Sequence, residues 1–257
     1  MLPPRRPAAP AAGKQVAGIY RYKVGSIECT SINDGARRFP MPDNFVRNVP
    51  KPEALADLAA AGVDAKSIDV VLMSHLHPAR TNAIRAADNS MAFPNAEIMV
   101  PGKDWEFSMS TENPAEAESN PMMKAYFANV QKVYSGIENK VTKHDWGKEI
   151  IPGITSIDAN GHTPGHTAFV IAAGSSNIPI QSDVTNIPEL FLRNPDWHVA
   201  FDVDPANAAE TRHKFYDMAA AEKALIAGCH FTFPSLGHVE KDGAKYCLVP
   251  IAWNPVI

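Results

Sequence analysis

Two histidines, His75 and His77, stand two residues apart in "SHLHPARTNAI", directly after the apolar run "IDVVLMS". In an extended segment such residues project to the same side, so both imidazoles can grip one small cation. A plainer reading stands beside this one: an HxH pair arises by chance, and a histidine at a strand end can simply cap a sheet. A second stretch, "GHTPGHT", sets His162 between a glycine and a Pro-Gly turn, where backbone can approach closely. Asp183 closes "NIPIQSD", and His230 lies in "ALIAGCHFTF". His75, His77, His162 and His230 therefore sit at ends of predicted strands, and Asp183 also ends one. Imidazole and carboxylate donors at such places suit zinc, because a loop can aim each side chain separately.

The other chemistry-bearing residues read less sharply. His166, the second histidine of "GHTPGHT", is expected to order the loop or a ligand rather than bind metal. His238, in "LGHV", lies either near a pocket mouth or in an ordinary loop, while His144, His198 and His213 read as surface or helix residues. Cys229 precedes His230 on a predicted strand, so its side chain should face the opposite side and join the core. Phe231, Phe233 and Trp105 either line an apolar pocket or merely pack. Asp202 and Asp204 flank a helix start and read as caps.

The elements that must hold these residues are legible in outline. "GIYRYKVGSIECTSIND" (18–34) alternates apolar and polar residues before an Asn-Asp-Gly turn, which predicts a strand or hairpin. "KPEALADLAAAGV" (51–63) predicts a helix stopped by Gly62. "IDVVLMS" (68–74) and "NAEIMVP" (95–101) predict buried strands, and 102–134 predicts helix, loop, helix around a polar stretch from Thr111 to Pro121. Strands are expected over 149–159, 167–173, 177–183, 224–233 and 245–251, with a long helix over 204–223 begun by Asp204 and Pro205. Two β-rich halves with helices between them predict a sandwich with helices outside, and HxH then lies at the C-terminal end of a strand, where α/β sheets place ligand sites.

Bulk properties narrow the partners. A chain of 257 residues at 45% hydrophobic can bury a substantial core, as one large α/β domain or two small ones. A formal net charge of −4 provides no basic field for nucleic acid. No apolar run reaches the roughly 18 residues that a membrane span requires. Cys29, Cys229 and Cys247 are far apart, without a CxxC pair, and read as buried or free thiols. The segment "MLPPRRPAAPAAGKQ" has an Arg pair but no apolar core of a signal peptide, so residues 1–16 are expected to be a disordered leader, with 17–257 as a single domain. These features favour a cytoplasmic location, with a periplasmic one as the alternative.

Taken together, "IDVVLMSHLHP", "FPNAEIMVPGKDWEF", "GHTPGHTAFVI…QSDVTN" and "DVDPANAAETRHKFYDMAAAEKALIAGCHFTFPSLGHV" resemble the metallo-β-lactamase superfamily of hydrolases, and within it the methyl parathion hydrolase-like group, relatives of the acyl-homoserine lactone lactonases. The resemblance implies an α/β fold, the αββα sandwich. It also carries the family's ligands onto His75 and His77, then His162, the bridging Asp183 and the last imidazole, His230. The family's HxHxDH motif is broken, because Ala79 and Arg80 stand where it has Asp and His. Family members also carry a strand pair with a "VDTG"-like turn before the helix that precedes HxH. Here "NFVRNVPKPEALADLAAAGV" passes straight to that helix, so part of the N-terminal sheet is expected to be missing.

The resemblance implies a metal-dependent hydrolase of a lactone, ester or phosphotriester, an acyl-homoserine lactone among them, hence a quorum-quenching activity. The expected cofactor is one zinc ion per chain on His75, His77 and His162, with Asp183 orienting the attacking water or accepting its proton. The second metal site, left with Asp183 and His230, is expected to be empty. Arg80, if it points inward, would pair with Asp183 and hold an anionic or carbonyl oxygen of the substrate; the alternative is an outward, solvated side chain. The competing function is a weak or inactive member that binds a small molecule. The expected partner is a small molecule, with no nucleic acid or membrane, in a chain that could pair as a homodimer.

Overall fold

A computed structural model describes residues 18–32, 63–86, 88–111 and 120–253. The first described element is a hairpin, β1 (Ile19–Val24) and β2 (Ile27–Ile32), paired antiparallel from Ile19↔Ile32 to Val24↔Ile27. Its turn needs Gly25 twice over: φ is +56°, and a Cβ there would lie 2.5 Å from the Ala173 carbonyl oxygen. The predicted helix over 51–63 and the expected gap in the N-terminal sheet lie almost wholly outside the described residues, as does the leader.

Three parallel strands, β3 (Val70–Leu72), β4 (Glu97–Pro101) and β5 (Val141–His144), form one sheet in that order. Four helices punctuate this region and the next: α1 (Pro78–Thr81), α2 (Gly102–Met109), α3 (Pro121–Tyr134) and, later, α4 (Pro188–Phe191). Asn120 caps α3 by accepting from the Met122 and Met123 amides, and Pro121 takes the first helical position. The buried stripe of α3, with Tyr126, Phe127, Val130, Val133 and Tyr134, packs with Met73, Leu76, Ile98 and Val100. That stripe recurs at helical spacing and covers the three-stranded sheet.

The second sheet has seven strands in the order β12-β11-β10-β9-β8-β7-β6. They are β6 (Glu149–Ile151), β7 (Ile154–Asp158), β8 (Thr167–Ala173), β9 (Ser176–Ile180), β10 (Ile226–Ala227), β11 (Leu236–Asp242) and β12 (Lys245–Pro250). Pairing is antiparallel except between β9 and β10, the neighbours joined by the long helix α5 (Pro205–Ala221). Phe215, Tyr216 and Ala219 of α5 pack with Ala168, Ile226, Val239 and Tyr246, so this helix covers the larger sheet. The hairpin packs through Tyr20 and Val24 onto Ile178, Ala227 and Leu236.

Several boundaries differ from the sequence expectation. The predicted strand 177–183 stops at Ile180, and Ser182 adopts a left-handed φ of +55° before Asp183. The predicted strand 224–233 contributes only Ile226–Ala227, after which a turn closes from the Phe231 amide to the Gly228 carbonyl at 3.0 Å. Strands β5 and β11 were not expected. Both are short on the alternating apolar pattern that marks a half-buried strand, and β11, "LGHVEKD", buries only its first residues and Val239.

Candidate metal centre

The HxH segment leaves β3 and stays extended. The Met73 amide still bonds to the Met99 carbonyl at 2.9 Å, and Leu76 then turns into the core while His75 and His77 face the other way. Pro78 starts α1, and the His77 carbonyl accepts from the Arg80 and Thr81 amides at 2.8 and 3.0 Å. From the facing sheet, the loop between β7 and β8 brings His162. The loops are stitched at the mouth of the seam, where the Thr167 amide donates to the Ser74 carbonyl at 2.9 Å.

The three rings converge. Their centroids lie 5.0 Å (His75–His77), 4.9 Å (His75–His162) and 4.5 Å (His77–His162) apart. His77 Nδ1 is 2.9 Å from His162 Nε2, and one nitrogen from each ring falls within 4.8 Å of the others. Asp183 Oδ2 faces the same point, 3.7 Å from His75 Nε2 and 3.6 Å from His162 Nε2. Nitrogens bound to one tetrahedral zinc at 2.0–2.1 Å lie about 3.3 Å apart, so this donor set fits the ion. His75 Nε2 gives an independent sign. It is buried and has no hydrogen-bond partner among the described residues, a costly state that a cation would relieve. Burial holds His75 and His77 well below the usual imidazole range, which keeps their ligand lone pairs free of protons.

His162 is aimed from behind. Its Nδ1 lies 2.7 Å from Asp202 Oδ1, so Nδ1 carries the proton and Nε2 presents its lone pair to the centre. The Asp202 side chain is buried, and it is not a helix cap: Asp204 caps α5, accepting from the Asn207 amide at 3.1 Å. Behind Asp202 stands the buried Arg212, with Nη2 3.9 Å from Asp202 Oδ2. Arg212 also donates through Nε to the Val184 carbonyl and through Nη1 to the carbonyls of Pro195 and Trp197. Sequence reasoning missed this support, because only the packing of α5 brings position 212 beneath position 202.

Asp104 is the second support that went unread. It sits fully buried in the first turn of α2, where Oδ2 accepts from the Leu76 amide at 2.9 Å and Oδ1 from the Gly165 amide at 2.6 Å. One carboxylate thus ties the HxH loop to the His162 loop. Burial raises it to about 6, against the pull of these amides. Gly165 is required at the junction, since a Cβ there would stand 2.3 Å from the Asp104 nitrogen. The only trace in the sequence is the acidic residue in "GKDWEF", which any helix start can carry.

His166 does not ligate, because both of its nitrogens are spent. Nδ1 lies 2.6 Å from the Ala159 carbonyl oxygen, and Nε2 accepts from the Asp183 amide at 3.0 Å. Burial pushes it down to about 4, so it stays a neutral donor and acceptor that fixes the Asp183 loop, the ordering role expected of it.

Arg80 points inward. Its Nη2 contacts Asp183 Oδ1, lies 2.8 Å from Cys229 Sγ and 3.3 Å from His230 Nε2. Burial alone would push Asp183 up, but the Arg80 guanidinium and then His75 hold its carboxyl well below the usual range. His230 Nε2 reaches Asp183 Oδ2 at 3.3 Å and groups with Asp183 and Cys229, apart from the three imidazoles. The expectation for Cys229 fails. Alternation along a strand does not apply in the turn after Gly228, so Cys229 and His230 face the same side and Cys229 is exposed.

The remaining candidates lie elsewhere. His144 is buried at the end of β5 against Phe169, not at the surface. His238 sits on the exposed face of β11, bonded to the Lys223 and Ala224 carbonyls. His213 meets Asp196 at 2.8 Å on the side of α5, and His198 is exposed. Trp105 packs on Tyr134, Phe231 joins the core under α5, and Phe233 stacks near Tyr20 and Trp253. These aromatics are packing residues.

No family model and no curated protein matches the chain. Solved structures do. A hydrolase of the beta-lactamase superfamily, AbOPH, is 23% identical over 94% of this chain and all of its own, with a TM-score of 0.79. AidC, a dizinc quorum-quenching lactonase in complex with a product, is 25% identical over 78% of this chain and 70% of its own, with a TM-score of 0.72. A probable metal-dependent hydrolase from Staphylococcus aureus is 22% identical over 78% and 68%, with a TM-score of 0.61. The chain is similar to each in the arrangement of its sheets and helices.

Proposed function

We propose that this chain, which has the metallo-β-lactamase fold, is a mononuclear zinc hydrolase of a lactone, ester or phosphotriester. The observation that carries the reading is the convergence of His75 Nε2, His77 Nδ1, His162 Nε2 and Asp183 Oδ2 on one point. Three imidazoles with a fourth position open are the donor set with which bound zinc makes water acidic enough to attack near neutral pH. His75, His77 and His162 would hold the ion. Asp183 Oδ2 orients the attacking water, and Arg80 on Oδ1 keeps that carboxylate ionised, so it acts as an acceptor of hydrogen bonds more than as a store for a proton.

Arg80 has the second task. Its side chain is 25% exposed beside Asp183, which puts its positive charge near an incoming carbonyl or phosphoryl oxygen as that oxygen gains charge. The product-bound lactonase AidC makes acyl-homoserine lactones the first substrates to try. Two measurements test the reading together: metal content of protein purified without added metal, and turnover on a lactone, ester and phosphotriester panel. About one zinc per chain is expected from the single three-imidazole set, and His162→Ala should lose both zinc and turnover. Turnover that survives His162→Ala refutes the assignment. Metal-free protein that binds a panel compound without converting it supports a small-molecule-binding protein instead.

A further inference from the structure

We propose that Arg212 is a positioning residue that holds two parts of the candidate centre, His162 and Asp183, in place from behind through helix α5. The proposal rests on the reading of those two residues above and adds what fixes them relative to each other. Its evidence is a stripe on one face of α5. Ala208, Arg212 and Tyr216 are buried and follow one another at a single turn's spacing, so they face the same way. Each meets a segment that carries a residue of the centre. Ala208 packs against Gly161, where a Cβ would lie 2.3 Å from the Ala208 nitrogen. Thr211, beside the stripe, donates to the Asn160 carbonyl at 2.7 Å. Tyr216 donates its hydroxyl proton to Oε1 of Gln181, in the turn that leads to Asp183.

Arg212 lies in the middle of the stripe and joins the two segments. Nε donates at 3.1 Å to the carbonyl of Val184, the residue after Asp183. Nη1 donates to the Pro195 and Trp197 carbonyls, the latter at 3.0 Å, and Nη2 stands 3.9 Å from Asp202 Oδ2. Asp202 in turn holds His162 Nδ1, and the Val203 amide donates to the His162 carbonyl at 3.1 Å. One planar group thus sets the separation between the Asp183 loop and the segment behind His162. The fork matters more than the charge, because a lysine ammonium has no rigid plane with donors on several sides. Arg212 is 1% exposed, and its guanidinium lies 5.4 Å from the Phe191 ring centre, so the plane cannot swing out to other partners.

Arg212→Lys keeps the charge and removes the fork, whereas Arg212→Met removes both. The first measurement needs neither metal nor substrate. In metal-free protein the His162 Nδ1 proton, held by Asp202, gives a proton resonance downfield of the amides, identified as the one that Asp202→Asn removes. It should be present in wild type and moved upfield or lost in either folded Arg212 variant. The second is a double-mutant cycle on zinc affinity. Arg212→Lys should weaken binding on the order of 10-fold, and Asp202→Asn should add little in that background, since both act through His162. The third is turnover at saturating zinc, where Arg212→Lys should lower kcat with KM kept, because the Asp183 loop shifts as well. A role in packing alone would lower Tm, leave the resonance in place and make the cycle additive. The proposal is overturned if folded Arg212→Lys keeps the wild-type resonance and zinc affinity, or if wild type shows no such resonance. Failure of Arg212→Lys to fold also overturns it, since the residue would then serve stability only. If the resonance is lost in Arg212→Lys while wild type binds no zinc or converts nothing on the panel, the hydrolase reading falls and Arg212 still stands as what aims His162.

Discussion

His162 carries opposite duties on its two nitrogens, and the division is made by Asp202. With Nδ1 committed to that carboxylate at 2.7 Å, the ring cannot turn over and its Nε2 stays aimed at the other imidazoles. Asp202→Asn should therefore lower zinc affinity on the order of 10–100-fold while the fold is kept, as measured by competition with a metal indicator and checked by circular dichroism. Unchanged affinity would mean that the ring is held by packing alone. That His75, His77 and His162 would come together could be read from the sequence because imidazoles at HxH spacing and between glycines are rare chemistry in recognisable places. Asp202, Arg212 and Cys229 could not. Their roles depend on where α5 lies and on a turn at Gly228, and neither is written into the neighbouring residues.

Among the elements, the loops matter more than the strands that lead to them. Asp104 reaches from the start of α2 to two backbone amides in different loops, and nothing else described bonds to both. Asp104→Ala strands two buried donors at roughly 1–3 kcal/mol each. It should lower the urea midpoint and weaken zinc binding together, and a fall in stability alone would separate structural support from support of the site. The long amphipathic helices and the core strands were legible because their period is repeated over many residues: α3 and α5 begin within a residue or two of Pro121 and Pro205, as their proline starts require. The strands expected over 177–183 and 224–233 are shorter in the structure, Ser176–Ile180 and Ile226–Ala227. Apolar composition continues past the point where Ser182 and Gly228 turn the chain, and composition does not reveal a turn made for a close approach.

At the scale of the molecule, the donors come from both sheets: His75 and His77 follow β3, whereas His162 and Asp183 follow strands of the seven-stranded sheet. An ion held between them ties the halves together and should stabilise the whole chain. At a hundredfold excess over its dissociation constant the gain is about 2.7 kcal/mol, or roughly 5–10 °C in Tm for a chain of this size. Chelator treatment should remove that increment and added zinc restore it, as followed by differential scanning calorimetry. A Tm indifferent to both would place the bound ion, if any, away from the seam.

The carboxylate of Asp104 makes the Leu76 and Gly165 amides share a fate. Whenever one loop breathes away from the other, both protons are laid open to solvent at once, so their exchange with deuterium should slow in step as zinc is added. Two amides 89 positions apart in the chain would then report, at equilibrium and without any substrate, how often the doorway between the layers stands ajar.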